Sequence, residues 1–316
     1  MIIKKNDVMP ERPVILVVYG TPGAGKTSFA CTADTPLLID TDRGFDRACE
    51  RVDTITAAKW EDIFNAENVQ AFGEYKTVIV DTAKACLDDF LAAYVVAQNY
   101  KLATNSLKRF GEMADQFKSF VNVLRSKGVD LIFVCHDKET ADGDTIKHAP
   151  DCTGQSKDLL VRIADEVGYI CKQNGKRVIT FEPTDTRVGK NVAGLDTLAI
   201  PDFGTPEYDS FAATIIRDVK NAIQAKGKAQ AEALALLNGA REALAACDTA
   251  ERANELMGTA NSLAKAHQKA FKLQMIETLK ERGIEFDAER KEFREPKKTK
   301  AKPKQEQPTE EALFAE

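Results

Sequence analysis

The sequence predicts an α/β fold: a mostly parallel sheet with one antiparallel edge, followed by a helical extension. Three observations support this: apolar runs that alternate with helix-compatible stretches, a glycine-rich loop after the first run, and an Ala-, Leu-, Glu- and Lys-rich segment after Pro206. Buried strands that alternate with helical crossovers are typical of parallel sheets. At 316 residues, the chain can form a core of roughly 200 residues and a smaller unit.

Short apolar runs are predicted to form the strands, because each has the length and polar boundaries of a buried strand. The last two flank Asn174-Gly175, a pair typical of tight hairpins, so this end of the sheet should be antiparallel. The predicted strands are 14–19, 36–39, 77–80, 131–135, 167–171 and 178–181. The predicted helices between them are 27–33, 59–67, 83–99, 106–127 and 156–164.

Three regions are predicted along the chain. Residues 1–205 should form the α/β core, and residues 206–284 a helical extension. Residues 285–316 carry many charges and little to bury, so a disordered charged tail is expected. The extension should contain helices at 207–225, 228–246 and 249–282. Its leucine spacing fits a helical hairpin or, alternatively, an arm that binds a partner.

Composition excludes several classes of protein. A net charge of −5 argues against a basic nucleic-acid coat, so any contact with DNA or RNA must use local patches. None of the seven cysteines lies in a C-x-x-C pair and the three histidines are scattered, so no zinc site is expected. The N-terminus has no apolar signal segment, and no apolar run approaches the ~18 residues of a membrane span. We therefore expect a soluble, cytoplasmic protein.

The segment GTPGAGKT fits the phosphate-binding pattern G-x-x-x-x-G-K-[ST] and lies between a predicted strand and a predicted helix, as that pattern requires. Its glycines let successive N–H groups point into one concavity, which favours an anion. Lys26 would reach the β- and γ-phosphates of ATP, and Thr27 would bind Mg²⁺. The predicted nucleotide contacts are Gly20, Thr21, Pro22, Gly23, Ala24, Gly25, Lys26 and Thr27.

Two further strand ends carry acids. The run ending in Asp81 would supply the second Mg²⁺ ligand, at the end of a strand beside the first one; the alternative is a helix N-cap. LLIDTDRG places Asp40 and Asp42 one residue apart, and a carboxylate here would orient the water that attacks the γ-phosphate. The alternative for this segment is a solvated turn that ends at Gly44.

In this order, GTPGAGKT, LLIDTD, TVIVDT and LIFVCH resemble the strand ends of the RecA/RadA recombinase core. The likeness continues through residues 152–170 and TRVGKN, residues 186–191, and covers about residues 12–200. The branch that the chain most resembles is the phage nucleotide-binding proteins of the Sak type, which are linked to single-strand annealing. The resemblance implies a RecA-like ATPase with Asp42 as the catalytic acid, Asp81 as the Walker B acid and His136 as the γ-phosphate sensor.

The resemblance also implies partners. It predicts a phage-encoded protein of the host cytoplasm that binds single-stranded DNA, assembles into a ring or filament and could associate with a single-strand-binding protein. Lys190 would act on the ATP of the neighbouring subunit, with Arg187 as the alternative. Asp42 is one methylene shorter than the family's glutamate, so either the attacking water lies in a different position or hydrolysis is slow. The resemblance also implies that DNA could stimulate hydrolysis.

Two segments are candidates for DNA contact. Residues 137–157 are expected to form a long polar loop, and residues 99–110 interleave cations and aromatics as single-strand binders do. The alternatives are a mobile solvated loop and an ordinary amphipathic helix. The candidate DNA-binding residues are Tyr100, Lys101, Lys108, Arg109, Lys138, Lys147 and Lys157.

Two other functions compete with an ATP-dependent DNA-binding protein. One is a nucleotide-binding loader or interaction protein with weak turnover, which would use the C-terminal helices to dock. The other is a small-molecule P-loop kinase, which the sequence disfavours because it has no Arg-rich lid.

Overall fold

The computed structural model describes residues 7, 10–48 and 50–295. The chain divides into two compact units, one within Val8–Gly227 and one that begins at Lys228. The first unit is an α/β structure and the second is mainly helical. Each unit is described separately below.

One twisted sheet forms the centre of the first unit. Its order is β10-β8-β7-β1-β5-β4-β2-β3, with β6 paired to β5 and β9 paired to β7. The strands from β7 to β3 are parallel, whereas β6, β8, β9 and β10 are antiparallel to their partners. The predicted parallel sheet with an antiparallel edge is therefore confirmed. The strands are β1 (Ile15–Gly20), β2 (Pro36–Asp40), β3 (Asp53–Thr56), β4 (Thr77–Asp81), β5 (Asp130–Asp142), β6 (Thr145–Pro150), β7 (Glu166–Gln173), β8 (Lys176–Thr180), β9 (Lys190–Asn191) and β10 (Leu198–Ala199).

Helices cover both faces of the sheet. Alternate residues of β1 pack into two core clusters, one that contains Phe120 and one that contains Phe29. Because both faces of the strand are buried, its sequence is a continuous apolar run. No helix among the described residues combines the length and apolar character needed to cross a membrane. The helices as far as Ala245 are α1 (Lys26–Ala30), α2 (Trp60–Ile63), α3 (Ala66–Ala71), α4 (Ala92–Gln98), α5 (Ser106–Ser126), α6 (Gly154–Ile163), α7 (Pro206–Asp209) and α8 (Phe211–Ala245). A π-helical stretch, Ala85–Leu91, precedes α4.

The α/β unit extends past the boundary predicted at residue 205. Ala212 and Ile215, on the first turns of α8, are buried in the same core cluster as Phe29 of α1. These residues complete the core on that face, so the unit runs to Gly227. The helices predicted at 207–225 and 228–246 are also wrong in part, because α8 is a single helix: an interior glycine costs a helix only about 1 kcal/mol.

Residues 137–157 do not form the predicted loop. β5 continues to Asp142 and β6 pairs back along it, with Glu139 opposite His148. Gly143, with φ of 60°, supplies the left-handed conformation that a tight turn needs. The prediction was wrong because both strands are polar and largely exposed, so no apolar run marks them, although the Asp142-Gly143 pair is a hairpin signal.

The second unit contains α9 (Ala250–Ser262), α10 (Lys265–Glu281), β11 (Glu285–Asp287) and β12 (Glu292–Arg294). One core cluster joins Leu237 and Leu244 to Leu256 and Phe271. The leucine spacing predicted an apolar face, and this core supports the helical-hairpin interpretation. The predicted single helix at 249–282 is divided between α9 and α10.

The tail predicted to be disordered from residue 285 is ordered at its beginning. β11 and β12 pair, and Phe293 is 2% exposed. Asn254 donates to Phe293 O at 3.0 Å and accepts from Phe293 N at 2.7 Å. Phe286 and Phe293 supply enough apolar surface to fold this short segment against α9. Residues 296–316, the rest of the predicted tail, lie outside the described residues.

Candidate nucleotide-binding site

The glycine-rich loop connects β1 to α1 at the carboxyl edge of the parallel strands. Gly23 and Gly25 have φ values of 74° and 90°, which side chains with a Cβ rarely adopt. A Cβ on Gly20 would lie 2.4 Å from Ile170 O of β7. These positions therefore require glycine for the loop conformation and for the close approach of two strands.

A cavity of about 350 Å³ lies at this edge. Its position follows from the strand order, because Gly20 pairs with His136 and Asp40 pairs with Asp81. The strand of Asp81 was expected beside β1, but β5 lies between them and brings His136 into the site. The residues that line the cavity are Pro22, Gly23, Gly25, Lys26, Thr27, Ser28, Asp42, Gly44, Asp81, His136 and Arg177.

Lys26, Thr27 and Asp81 are the polar side chains at the centre of the cavity. Lys26 Nζ donates to Gly20 O at 2.9 Å and to Thr21 O at 3.0 Å. Thr27 Oγ1 donates to Asp81 Oδ2 at 2.5 Å. These two adjacent oxygen-bearing side chains fit the preference of Mg²⁺ for hard oxygen ligands. The residues present therefore fit a magnesium-bound polyphosphate.

Burial shifts the pKa values of this group. It raises the pKa of Asp81 to about 6, against the opposing effect of the hydrogen bond from Thr27. It also lowers the pKa of Lys26, against the attraction of Asp81. Both shifts disfavour the charged forms, as expected for ionisable groups taken out of water. An anion beside Lys26 and a cation beside Asp81 would both restore the charged forms.

Asp40 and Asp42 occupy different environments. Asp40 is 2% exposed, and its carboxylate accepts hydrogen bonds from the backbone N–H groups of Asp42, Gly44 and Phe45 at 3.3, 3.0 and 3.1 Å. Asp42 is exposed and lines the cavity. The geometry favours Asp42 as the acid that could reach a water molecule, and Asp40 as the acceptor that holds the turn.

His136 ends the part of β5 that pairs with β1 and lines the cavity. Burial, followed by the charge of Lys26, lowers its pKa from the usual value of 6.5, so its ring is neutral at pH 7. Its Nδ1 is buried and has no hydrogen-bond partner among the described residues. Because the neutral ring lines the cavity and can both donate and accept, it is suited to hydrogen bonding with a ligand there.

Lys190 and Arg187 do not line the cavity of their own chain. Lys190 Nζ donates to the carbonyls of Val161 and Arg162, at the end of α6, at 3.2 and 3.1 Å. The guanidinium carbon of Arg187 lies 5.7 Å from the centre of the Tyr169 ring. Within their own chain, therefore, Lys190 caps a helix and Arg187 stacks on an aromatic side chain.

The candidate DNA-binding residues lie in separate segments. Tyr100 is 78% exposed and precedes α5, in the same 3₁₀ turn as Lys101. Lys108 and Arg109 lie in the first turns of α5, where Arg109 donates to Ala103 O at 3.2 Å.

The other three candidates lie on the hairpin and on α6. Lys138 and Lys147 are exposed on the β5–β6 hairpin, and Lys147 forms an ion pair with Asp142 at 2.5 Å. Lys157 lies on α6, where its Nζ is 4.0 Å from Asp158.

The β5–β6 hairpin creates a polar cluster that linear spacing does not show. One potential metal-ligand atom from each of Asp137, Glu139 and His148 lies within 4.8 Å of the other two, so the three side chains could hold a cation. His148 Nδ1 and Asp137 Oδ2 are hydrogen bonded at 2.6 Å, and Tyr169 donates to the same oxygen at 3.2 Å. In the described structure, this cluster joins the base of the hairpin to β7.

Three residues that line the cavity were not among the predicted site residues: Ser28, Gly44 and Arg177. Arg177 is the charged residue of the three. It lies on β8, far along the chain from the phosphate-binding motif. Strand alternation after the hairpin predicted at Asn174-Gly175 could have shown that Arg177 shares a face of the sheet with Ile179. The order of β8, β7 and β1 was needed to connect that hairpin to the glycine-rich loop.

The fold and this cavity define a P-loop nucleotide-binding domain. Residues 12–192 match the family model described as AAA domain, and the chain belongs to that family. A P-loop domain of this family implies nucleotide binding, usually with Mg²⁺, and in general an ATPase. Comparison with curated proteins found no match.

Proposed function

We propose that this chain is a RecA/RadA-like ATPase that binds single-stranded DNA and supports phage recombination by strand annealing. One observation carries the ATPase part: Lys26 and Thr27 at the start of α1, Asp42 after β2, Asp81 at the end of β4 and His136 on β5 line one cavity. The resemblance of the strand-end motifs to recombinases supports the recombination part.

Each of the cavity residues has a separate role in the proposed ATP hydrolysis. The loop N–H groups and Lys26 bind the phosphates, while Thr27 and Asp81 hold Mg²⁺. When bound, Mg²⁺ neutralises charge that develops on the phosphate oxygens. Asp42 orients the attacking water, and neutral His136 hydrogen bonds to the γ-phosphate. His136 is followed directly by Asp137 at the base of the β5–β6 hairpin, which offers a route from the nucleotide to the exposed Lys138 and Lys147.

Assembly, like the recombination part of the proposal, rests on the resemblance. In a head-to-tail ring or filament, Lys190 of one subunit would act on the ATP of the next, with Arg187 as the alternative. To do so, Lys190 must exchange its two carbonyl partners on α6 for phosphate oxygens.

The ATPase rate with and without single-stranded DNA tests the proposal. We expect DNA to stimulate the wild-type protein and Lys26→Ala to lose ATP binding, because the point charge on the β- and γ-phosphates is removed. Lys118→Ala, which changes an exposed lysine on α5 that pairs with Asp115, is the matched control. ATP affinity that is unchanged in a folded Lys26→Ala protein would contradict the assignment of the nucleotide site.

A second candidate function is a nucleotide-binding loader or interaction protein with weak turnover. The short acid at position 42 and the contacts of Lys190 with α6 favour it. ATP binding with slow hydrolysis that single-stranded DNA does not change would support the loader over the recombinase-like protein.

A further inference from the structure

The backbone of Arg177 is fixed on both sides of its strand. The turn between β7 and β8 uses Asn174 and Gly175, with φ values of 50° and 81°, and sets a register in which Arg177 pairs with Lys172. On the other side, Ile200 N donates to Arg177 O at 2.9 Å. The point at which this side chain leaves the sheet is therefore determined by the fold.

The side chain of Arg177 leaves the sheet on the face that carries α1. Strand alternation places Ile179 and Phe181 on the same face, and both are buried in the core cluster that contains Phe29 of α1. Arg177 Nη1 lies 2.9 Å from the position that a Cβ would take on Gly25. The guanidinium thus lies directly against the glycine-rich loop.

The guanidinium of Arg177 has unused donors. Within the part of the chain that the structure describes, it forms no hydrogen bond and no ion pair. A guanidinium offers five N–H donors in a planar arrangement. Asp42 and Asp81 line the same cavity as Lys26, so a cation in addition to Lys26 and Mg²⁺ would help to offset the charge of a bound polyphosphate.

We propose that Arg177 binds the α- and β-phosphates of a nucleoside di- or triphosphate held in its own chain. Gly25 belongs to the loop whose N–H groups cradle these two phosphates, whereas Lys26 reaches on to the β- and γ-phosphates. A planar guanidinium matches phosphate oxygens in a bidentate arrangement. The inference rests on the proposed nucleotide site, but it requires no neighbouring subunit.

A contact with the α- and β-phosphates is made equally before and during γ-phosphate transfer. Removing such a contact weakens substrate binding and leaves the chemical step nearly unchanged. Arg177 is therefore expected to affect the affinity for ATP and for ADP alike, and to raise KM more than it lowers kcat. A residue with a merely structural role would not produce this pattern.

The test measures dissociation constants for ATP and ADP with Mg²⁺, by calorimetry, together with kcat and KM. Arg177→Ala should weaken the affinity for both nucleotides by about 10- to 100-fold, the size expected for lost charge-assisted hydrogen bonds. Arg177→Lys should recover part of the loss, because it keeps the charge without the bidentate geometry. Lys176→Ala, on the same hairpin but outside the cavity lining, should stay within about twofold of wild type.

Several outcomes would overturn the proposal. These are wild-type affinities in a folded Arg177→Ala protein, a loss confined to ATP, or restoration of nucleotide binding to Arg177→Ala protein by added Lys26→Ala protein, which would place Arg177 in a neighbour's site. A wild-type protein that binds no nucleotide would instead contradict the proposed function itself, and this inference with it.

Discussion

At the scale of single residues, Asp40 and Asp42 show how two neighbouring carboxylates take different tasks. Strand β2 ends at Asp40, whose buried carboxylate satisfies three backbone N–H groups of the following turn. Asp42 lies on that turn and reaches the cavity. An acid engaged by three donors is poorly placed to accept a proton from water, so hydrolysis should depend on Asp42.

Substitution of each acid should separate the two roles. Asp42→Asn is expected to keep ATP bound and to lower turnover by about 10²-fold or more, the usual contribution of a general base. Asp40→Asn should affect turnover less and lower the unfolding temperature, because an amide nitrogen cannot accept the N–H bonds of the turn. Turnover and thermal unfolding of both variants check this. If the two effects are reversed, Asp40 is the catalytic acid.

The raised pKa of Asp81 predicts how the stability of the ligand-free protein depends on pH. In the folded state its pKa is about 6, against an ordinary 3.8, so the fold favours the protonated carboxyl. This contribution to the free energy of unfolding is fully present below pH ~4 and is lost as the pH rises through about 6. Asp81→Asn should therefore gain stability relative to wild type between pH 4 and 8, by up to about 3 kcal/mol.

Urea unfolding of wild type and Asp81→Asn at pH 4 and at pH 8 measures the difference in their free energies of unfolding. The comparison between variants is needed because burial also raises the pKa of Glu166 to about 7, which adds a pH dependence common to both proteins. Addition of Mg²⁺ and nucleotide should reverse the trend in wild type, since a bound cation favours the ionised carboxylate. An equal stability difference at pH 4 and pH 8 would contradict the raised pKa.

At the scale of elements, the sequence predicted best those strands that are buried on both faces. β1, β2, β4, β5 and β7 read as apolar runs because helices cover both sides of the sheet. The short or exposed strands β3, β6, β9 and β10 have no such pattern and were missed. The same reasoning applies to the cavity: its lining residues in motifs near strand ends could be predicted from the sequence, whereas the position of Arg177 depends on the register of the β7–β8 hairpin.

The β11–β12 hairpin gives a prediction for the second unit. Phe293→Ala should destabilise this unit by about 3–5 kcal/mol, the usual cost of removing a buried aromatic side chain. Leu273→Ala, which changes a leucine that is 53% exposed on α10, should cost less than about 1 kcal/mol. Denaturant unfolding of the two variants measures the difference. Equal, small effects would mean that the hairpin adds nothing to the stability of the unit.

At the scale of the whole molecule, charge and assembly decide between the two candidate functions. A net charge of −5 opposes non-specific attraction to DNA, so the proposed DNA binding would have to use local cations such as Lys101, Lys108, Lys138 and Lys147. Lys138 and Lys147 lie on a hairpin that also carries several acids, which limits their effect in one subunit. Repetition of the cationic segments in a ring or filament would multiply these contacts.

Lys190 gives the test of assembly. In one subunit its ammonium group caps α6, so Lys190→Ala should leave ATP affinity nearly intact and change the unfolding temperature only slightly. If Lys190 acts across a subunit interface, the same change should reduce DNA-stimulated hydrolysis by about 10³-fold or more, as loss of a trans-acting cation does. Arg187→Ala, which removes the other candidate cation, is the parallel variant.

Mixing two inactive variants shows whether Lys190 only caps α6 or also acts on the ATP of a neighbouring chain. Lys26→Ala protein retains Lys190 but has a defective pocket, whereas Lys190→Ala protein has an intact pocket. In a head-to-tail assembly some interfaces would combine the intact pocket with the intact lysine, so part of the hydrolysis should return at intermediate ratios. If no ratio restores activity and the wild-type mass stays monomeric with ATP and single-stranded DNA, Lys190 serves only to cap α6, and the loader becomes the better account of this P-loop domain.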